Sequence, residues 1–491
     1  MPPAFLSFAI WIPVAAGLVV LAVGSRRAAL SRMLALFGAL AGFLVALPLY
    51  IGFDATASRF QFGETSSWIP TLGVHYALGV DGLSLWFVLL NSLITVLVIV
   101  AGWRSVEKRV SQYNAAFLIM SGLLNGIFSA LDGALFYVFF EASLIPLFLI
   151  IGIWGGPRRV YAAFKFFLYT LAGSLPFLLA IIYLRVQSGS FSLPDWQNFP
   201  LDHGTQLWLF FAFFAAFAVK IPMFPLHTWL PDAHVEAPTG GSVVLAAIAL
   251  KLGAYGFLRF LLPIVPDAAQ EMAPFMIALS LIAVVYIGLI ALVQEDMKKL
   301  VAYSSIAHMG FVTMGIFLCT ALSLEGALLQ MISHGFVSAA MFLCIGVLYD
   351  RLHSRQIEDY GGVADVMPRF SALFLLFSMA NAALPATSGF VGEFMVIMAA
   401  AGKNFWIALA AGSTLVIGAA YTLWMYKRVC FGAAASEKVR ALSDLSAREF
   451  ALLLFLALAV LGMGVYPFPV TEATHTSVAE LLRHVTTGKI P

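Results

Sequence analysis

The stretch AVKIPMFPLHTWLPDAH, from Ala218 to His234, contains the residues that decide the fold. It ends a long apolar run, yet it holds one lysine, three prolines, two histidines and one aspartate. Proline removes a backbone donor and frees a carbonyl, so Pro222 and Pro225 predict a break in a helix. Irregular backbone at membrane depth is tolerated only where it is buried in protein or lines a cavity. The stretch therefore predicts a membrane helix that is interrupted beside Lys220.

The composition indicates an integral membrane protein. Of the 491 residues, 62% are hydrophobic and 11% are charged, whereas soluble domains carry roughly 25% charged residues. The apolar runs are continuous, while a membrane β-barrel requires segments of alternating hydrophobicity. We therefore predict an all-α polytopic membrane protein, because a helix satisfies its own backbone in lipid.

The apolar runs predict about fourteen transmembrane helices. They lie near residues 4–23, 31–53, 83–103, 113–130, 133–154, 160–186, 206–226, 240–263, 271–293, 300–320, 325–349, 370–400, 404–430 and 448–467. The first run has basic residues after it rather than before it, the reverse of a secretory signal. We expect it to be retained as a helix, with the N-terminus outside.

The basic residues agree with this count. With the N-terminus outside, eighteen Lys and Arg residues fall in inner loops and six in outer loops, Lys298 among the former and Arg259 among the latter. Such a bias is the positive-inside pattern, and it predicts both termini on the outer side. The outer loop from Asp54 to Gly82 is predicted to form a packed cap, with a turn at GETSSW (63–68).

Four charged residues fall at mid-helix positions in the apolar runs, namely Glu141, Lys220, Lys251 and Glu393. A charge at the centre of a membrane helix costs about 2.5 to 3.5 kcal/mol. Two acids and two bases on four segments favour a proton pathway. The alternative is that they form structural ion pairs between helices.

Two histidines extend this pattern. Ser304 and His308 are four residues apart, as are His334 and Ser338, so each pair shares a helix face. Neutral histidine both donates and accepts a proton and titrates near neutral pH. We therefore predict His308, His334 and Ser304 as supporting members of a relay.

The polar residues after the first break are harder to assign. His227, Asp232, His234 and Glu236 are numerous enough for a metal site, but their spacing matches no metal-binding motif. Lys165 lies close enough to an inner loop for its ammonium to snorkel to the membrane surface, with a relay role as the alternative.

The twelfth run contains a second interruption, LPATSG, from Leu384 to Gly389. If helices 4–8 and 9–13 are two five-helix repeats, both breaks fall in the fourth helix of a repeat. An odd number of helices gives the repeats opposite topology, and matched breaks in inverted repeats mark a transport site. The predicted division is 1–112 for the N-terminal helices, 113–263 and 271–430 for the repeats, and 431–491 for the last helix and tail.

Long motifs resemble the antiporter-like membrane subunits of respiratory complex I, the NADH:quinone oxidoreductase. They are GVDGLSLWFVLL, FEASLIPLFLIIGIWGG, VKIPMFPLHTWLPDAHVEAPTGGSV, LKLGAYGFLRF, KKLVAYSSIAHMGF, SHGFVSAAMF and FVGEFM. The second motif, together with glutamate rather than lysine at position 393, is similar to the M-type members and not to the L-type or N-type members.

The resemblance implies fourteen helices in two inverted repeats, with breaks in the seventh and twelfth. It implies that Glu141 and Lys220 form a switchable pair, that Lys251 is the central relay, and that Glu393 leads to the outer side. His308 and His334 would connect them, and the role of His227 stays open.

The chain has no phosphate-binding loop, no dinucleotide fingerprint and no haem or iron–sulfur spacing. We therefore expect no cofactor or metal here, with flavin, iron–sulfur clusters and quinone on partner subunits, including L-type and N-type ones. The expected location is the bacterial inner membrane, with lipid, water and protons as further partners and no nucleic acid. The alternatives are a subunit of a cation/proton antiporter or membrane-bound hydrogenase, and a passive membrane scaffold.

Overall fold

The computed structural model describes residues 4–489, and long α-helices make up most of them. The helices are α1 (Phe5–Val23), α2 (Ala28–Ile51), α3 (Leu85–Ser105), α4 (Val110–Ser129), α5 (Gly133–Trp154), α6 (Arg159–Ser188), α7a (His203–Lys220), α7b (Trp229–Glu236), α8 (Thr239–Ile264), α9 (Pro266–Leu292), α10 (Met297–Leu318), α11 (Ala321–Leu352), α12a (Pro368–Asn381), α12b (Ser388–Lys403), α13 (Phe405–Cys430), α14 (Ala447–Val465) and α15 (Phe468–Thr487). Short helical segments lie at Ser25–Arg27, Leu193–Asn198, Ile357–Asp359, Val363–Val366 and Glu437–Arg440. Two strands, β1 (Gln61–Ile69) and β2 (Val74–Val80), complete the fold.

Eleven of these helices are long and apolar enough to cross a membrane. They coincide with eleven of the fourteen predicted runs, so the prediction of a helical, multi-span membrane protein is confirmed. The other three runs form α4 and the two interrupted helices, α7a with α7b and α12a with α12b. The full number of crossings and the division into repeats stay predictions.

Side-chain caps fix where several helices begin. The Asp132 carboxylate accepts hydrogen bonds from the first backbone N–H groups of α5, and Asp296 does the same for α10. Thr320 and Ser446 form capping boxes at the starts of α11 and α14. Each such cap contributes about 1 kcal/mol by satisfying N–H groups that have no partner within the helix.

The two helix breaks share one backbone hydrogen bond. In each, a backbone N–H three residues past the helix end donates to the carbonyl two residues before that end. The bond runs from Met223 to Ala218 at 2.8 Å in the first break and from Leu384 to Met379 at 3.0 Å in the second. The breaks otherwise differ, because the first contains a cis peptide bond before Pro225 and the second holds Ala383 and Ala386 at positive φ.

The predicted cap between α2 and α3 contains an antiparallel hairpin, and one expectation about it is wrong. GETSSW (63–68) is not a turn but part of β1, where Glu64 to Ser67 pair with Leu78 to His75 of β2. The turn follows at Pro70–Gly73, where Gly73 has a φ of +69°, a left-handed value that favours glycine. Consecutive polar residues in this stretch suit an exposed strand as well as a loop, so composition alone does not separate the two.

Both described ends of the chain lie at the side of the bundle that carries this hairpin. The backbone N–H of Leu6 in α1 donates to the Glu64 carboxylate at 2.8 Å. The predicted tail contains α15, whose Ser477 hydroxyl accepts from the N–H of Gly82 at 2.9 Å. We call this side of the bundle the hairpin end.

Two basic residues that the charge pattern assigned to loops are instead buried in helices. Arg259 is 4% exposed within α8, and Lys298 is 4% exposed at the start of α10. Local hydropathy misplaces them because each lies next to a loop and finds its partners on distant segments. Arg259 was assigned to an outer loop and Lys298 to an inner loop, so the inner loops still contain more basic residues than the outer loops.

Candidate functional site

A buried lysine and histidine meet at the centre of the bundle. Lys251 of α8 is fully buried, and its Nζ lies 2.7 Å from Nδ1 of His334 in α11. A π-helical turn, Leu245–Ala249, precedes Lys251, and the Ala246 carbonyl within it accepts a hydrogen bond from Nζ at 2.6 Å. Such turns place backbone groups outside the regular helical ladder and are frequent at functional sites. The geometry leaves Lys251 in direct contact with a group that can accept its proton.

A second contact connects α10 to α12b. Nδ1 of His308 lies 2.5 Å from Oε1 of Glu393, which also accepts from Nε2 of Gln330 at 2.8 Å. Gly392 lets these helices meet, because a Cβ there would fall 2.6 Å from the backbone nitrogen of Gln330. The Glu393 carboxylate is thus held by donors from two other helices.

The two histidine rings connect these contacts. The ring centroids of His308 and His334 are 5.7 Å apart, and both residues are less than a tenth exposed. Within residues 4–489 neither Nε2 atom has a hydrogen-bond partner. Lys251, His334, His308 and Glu393, all singled out in the sequence, therefore lie close together in one buried polar chain across four helices.

The predicted Glu141–Lys220 pair is close but not joined. No ion pair within 4.0 Å connects them in the described part of the chain, and Oε1 of Glu141 has no hydrogen-bond partner there. Nζ of Lys220 lies over the aromatic faces of Phe140 and Phe166, at 4.7 and 5.8 Å from their centroids. Gly253 of α8 packs against the Lys220 break, since a Cβ on it would meet the Phe217 carbonyl at 2.4 Å. This contact places the break beside the Lys251 segment.

The polar residues of the first break take separate partners. Lys165 does not snorkel freely, because its Nζ forms an ion pair with Asp232 at 2.7 Å. The Glu236 carboxylate accepts from the backbone N–H of Arg158 at 2.8 Å. Among residues 4–489 no three His, Cys, Asp or Glu side chains group as metal ligands. The metal alternative therefore gains no support from this region.

The two histidines of the break differ in their surroundings. His227 is 8% exposed, and its Nδ1 has no hydrogen-bond partner among the described residues. His234 is fully buried and stacks on Phe342 with centroids 4.5 Å apart. Both of its ring nitrogens lack partners within the same range, and the charges of Lys251 and Lys298 act on it.

The predicted serines share the histidine faces but do not bond to the rings. The Ser304 hydroxyl donates to the Val301 carbonyl at 3.0 Å, and the Ser338 hydroxyl donates to the His334 carbonyl. A hydroxyl in a membrane helix commonly bonds to a preceding carbonyl of its own helix. Ser304 thus has no direct contact to the relay in this conformation.

A cavity opens at the end of the bundle opposite the hairpin. Its volume is about 760 Å³, and its wall includes Glu236, Lys298, Asp350, Arg355 and Glu449. Nζ of Lys298 donates to the Ala237 carbonyl at 2.8 Å, just beyond α7b. Lys298 therefore connects the cavity wall to the end of α7b.

Gln330 and Lys298 are the site residues that sequence reasoning missed. Gln330 is four residues before His334 in an apolar run, so helical spacing could have revealed it. Lys298 gave no such signal, because a lysine at the start of a helix normally lies at the membrane surface.

The chain matches the family described as NADH:quinone oxidoreductase/Mrp antiporter, TM, over residues 130–418. NADH-quinone oxidoreductase subunit M of Rhodobacter capsulatus is 49% identical over 98% of this chain and 96% of its own length.

Two solved structures have the same fold. A chain in respiratory complex I from Thermus thermophilus with bound NADH has a TM-score of 0.88 and 33% identity, covering 98% of this chain and 99% of that one. A chain in the Mrp complex from Dietzia sp. DQ12-45-1b has a TM-score of 0.82 and 23% identity, covering 98% of this chain and 54% of that one. The second likeness is of fold alone.

Proposed function

This chain belongs to the subunit M family of NADH-quinone oxidoreductase, and we propose that it moves protons across the membrane through its buried polar chain. Its place is that of an antiporter-like subunit in the membrane arm of an oxidoreductase complex. The observation that carries the proposal is the pair of contacts from Lys251 to His334 and from His308 to Glu393. Four titratable side chains follow one another on four neighbouring helices. Buried titratable groups are costly in a membrane, and helix association alone does not require so many of them.

The first transfer begins at Lys220. When Glu141 approaches it, the carboxylate favours the charged ammonium and holds the proton. When the two are apart, Lys220 lies against aromatic rings in a desolvated site and gives up its proton more readily. The proton then passes to Lys251, with water as the connecting group.

The later transfers use direct contacts. Nδ1 of His334 accepts from Lys251, and the opposite ring nitrogen releases a proton toward His308. Nδ1 of His308 delivers it to Glu393, whose carboxylate is kept in place by Gln330. Histidine suits both steps because it has one nitrogen to accept a proton and another to release one.

The energy comes from outside this chain. Moving one charge against 100 mV costs about 2.3 kcal/mol, and the sequence holds no redox motif. The proposal therefore places flavin, iron–sulfur clusters and quinone on partner subunits, with the L-type and N-type subunits as neighbours in the membrane arm. The bacterial inner membrane is the proposed location, with the hairpin end and both termini outside and the cavity inside. Protons would reach the chain from the cavity side, past Lys298 and His234.

Replacing Glu393 with glutamine in the intact complex tests the proposal. Glutamine keeps the size of the side chain and can still accept from Gln330, but its amide neither takes up nor releases a proton near neutral pH. We expect proton pumping and coupled turnover to fall, while Glu437→Gln, an exposed control on the short helix Glu437–Arg440, leaves both unchanged. Full pumping by an assembled Glu393→Gln complex would refute the relay and favour a scaffold.

The antiporter alternative predicts a different dependence. A cation/proton exchanger would respond to a sodium gradient in the absence of NADH, whereas a complex I subunit would pump only with NADH and quinone. Measuring vesicle pH under each condition separates the two.

A further inference from the structure

A bidentate ion pair lies buried at the hairpin end of α8. Nη1 and Nη2 of Arg259 donate to the two carboxylate oxygens of Asp81 at 2.9 and 2.6 Å. Arg259 is 4% exposed and Asp81 6% exposed. The guanidinium also lies over the rings of Phe60 and Tyr255, with centroids 4.9 and 5.2 Å away. Such a pair is strongly bound, and removing one partner alone is costly.

The pair stands in line with the central lysine. Lys251, Tyr255 and Arg259 follow one another at four-residue spacing along α8. Nε of Arg259 donates to the Tyr255 hydroxyl at 3.0 Å, which confirms that the last two share a face. Eight helical residues span about 12 Å, so the ion pair lies about two turns from Lys251 on the hairpin side.

The direction of the hydrogen bonds matters for proton transfer. The Tyr255 hydroxyl accepts from Arg259 and gives its only proton to the Phe128 carbonyl at 3.0 Å. A backbone carbonyl carries no transferable proton, and a guanidinium has donors but no acceptor. Arginine also stays protonated at every accessible pH. A proton at Lys251 therefore meets no acceptor chain along this face.

A relay that ends at Glu393 needs this property. Lys251 would otherwise have a shorter exit to the same side along its own helix, and protons driven out would return by that route. Fixed arginine charges exclude protons from other membrane pores; here the guanidinium is neutralised by Asp81, and it acts by occupying the acceptor atoms of Tyr255 and Asp81.

We propose that the Arg259–Asp81 ion pair insulates the hairpin end of α8, so that a proton on Lys251 leaves only through His334 and Glu393. This inference rests on the proposed relay. In it, Arg259 is a positioning and insulating residue that never carries the transferred proton.

The test measures passive proton leak through the purified whole complex in liposomes without NADH. An imposed pH gradient should collapse at least about twofold faster with Arg259→Gln than with wild type, because the barrier charge and its five donors are lost. Arg185→Gln is the matched control, since Arg185 also lies at the hairpin end, but within residues 4–489 its hydrogen bonds go only to the Leu72 carbonyl. The Arg185→Gln complex should hold the pH gradient as long as the wild-type complex does.

Two further variants keep the test decisive. Arg259→Gln leaves the Asp81 carboxylate buried without a partner, which can impair assembly of the complex. The double variant Asp81→Asn/Arg259→Gln removes both charges and is tested for proton leak in the same liposome assay. Combining Lys251→Met with either variant should slow the collapse of the pH gradient to the wild-type rate, because the leak runs through Lys251. A merely structural ion pair would lower the yield of complex without opening a leak that Lys251→Met suppresses.

The outcomes separate this inference from the proposed function. If the assembled single or double variant holds the gradient as well as wild type, the insulating role is overturned. If the leak persists with Lys251→Met, the route through Lys251 is overturned. Failure of the Glu393→Gln pumping test would remove the relay, and that result does not depend on passive leak.

Discussion

Lys251→Met is the substitution that most directly separates a proton relay from a packing role. Methionine matches the length of the lysine stem, and removing the ammonium relieves a penalty of about 2.5 to 3.5 kcal/mol for a charge at the centre of a membrane helix. Against this gain, the bond to the Ala246 carbonyl is lost and Nδ1 of His334 loses its partner. Those losses cost about 1 kcal/mol for the bond and about 1 to 3 kcal/mol for the unpaired nitrogen.

The two effects nearly cancel, so we expect the Lys251→Met complex to assemble to a normal level. Proton pumping should nevertheless fall severely, because the thioether cannot carry a proton from Lys220 to His334. The assay compares three measurements on membrane vesicles. Native gels report assembled complex, NADH oxidation by an artificial acceptor reports the redox arm, and a pH-sensitive dye reports pumping with quinone.

The control is Lys403→Met, which removes a lysine from the exposed end of α12b. It should leave all three measurements unchanged. The reasoning is refuted if Lys251→Met assembles and pumps at the wild-type ratio of protons to electrons. It is also refuted if the variant fails to assemble, because the near balance of free energies would then be wrong.

Further predictions concern the two ends of the relay. Lys220→Ala should lower pumping and coupled turnover per assembled complex in the same vesicle assay, and native gels should show the cost of losing cation–π contacts worth about 2 kcal/mol or more. Gln330→Ala should lower turnover less than Glu393→Gln does, since it removes one donor to the carboxylate and no proton carrier. Gly392→Ala should destabilise the complex by about 1 to 3 kcal/mol, because its Cβ would strike the backbone of Gln330. Gly412→Ala, with nothing within 4 Å, should leave the melting temperature unchanged.

Sequence reasoning located the helices because membrane-spanning runs must satisfy their own backbone and exclude charge. That constraint is local, so a window of residues reveals it. The breaks were also readable, since Pro222 and Pro385 cannot continue a regular helix. Charged residues within the apolar runs, Lys251 and Glu393 above all, were readable as well, because membrane-spanning helices normally exclude charge.

What could not be predicted depends on pairing across the bundle. Arg259 and Asp81 are separated by 178 residues, and neither has a local feature that indicates its partner. GETSSW became a strand because β2 lies beside it, which its own composition does not specify. The four-residue spacing of Gln330 and His334 could have identified Gln330 as a site residue. It was missed because the charged residues gave a stronger signal, although Gln330 donates directly to Glu393.

The two halves of the relay differ in how they are connected, and this difference indicates where energy enters. From Lys251 to Glu393 the side chains are in hydrogen-bond contact or, for the two tilted histidine rings, have centroids 5.7 Å apart, so in the proposed relay protons would pass there with little motion. Glu141 and Lys220 are not in contact, so their interaction depends on distance. At an effective dielectric constant of about 20, unit charges interact by about 4 kcal/mol at 4 Å and about 2 kcal/mol at 8 Å. A shift of a few ångströms thus changes the proton affinity of Lys220 by about 2 kcal/mol, close to the roughly 2.3 kcal/mol needed to move one charge against 100 mV. Small motions imposed by partner subunits at this pair would therefore suffice to drive the proton, which the fixed contacts beyond Lys251 could not achieve.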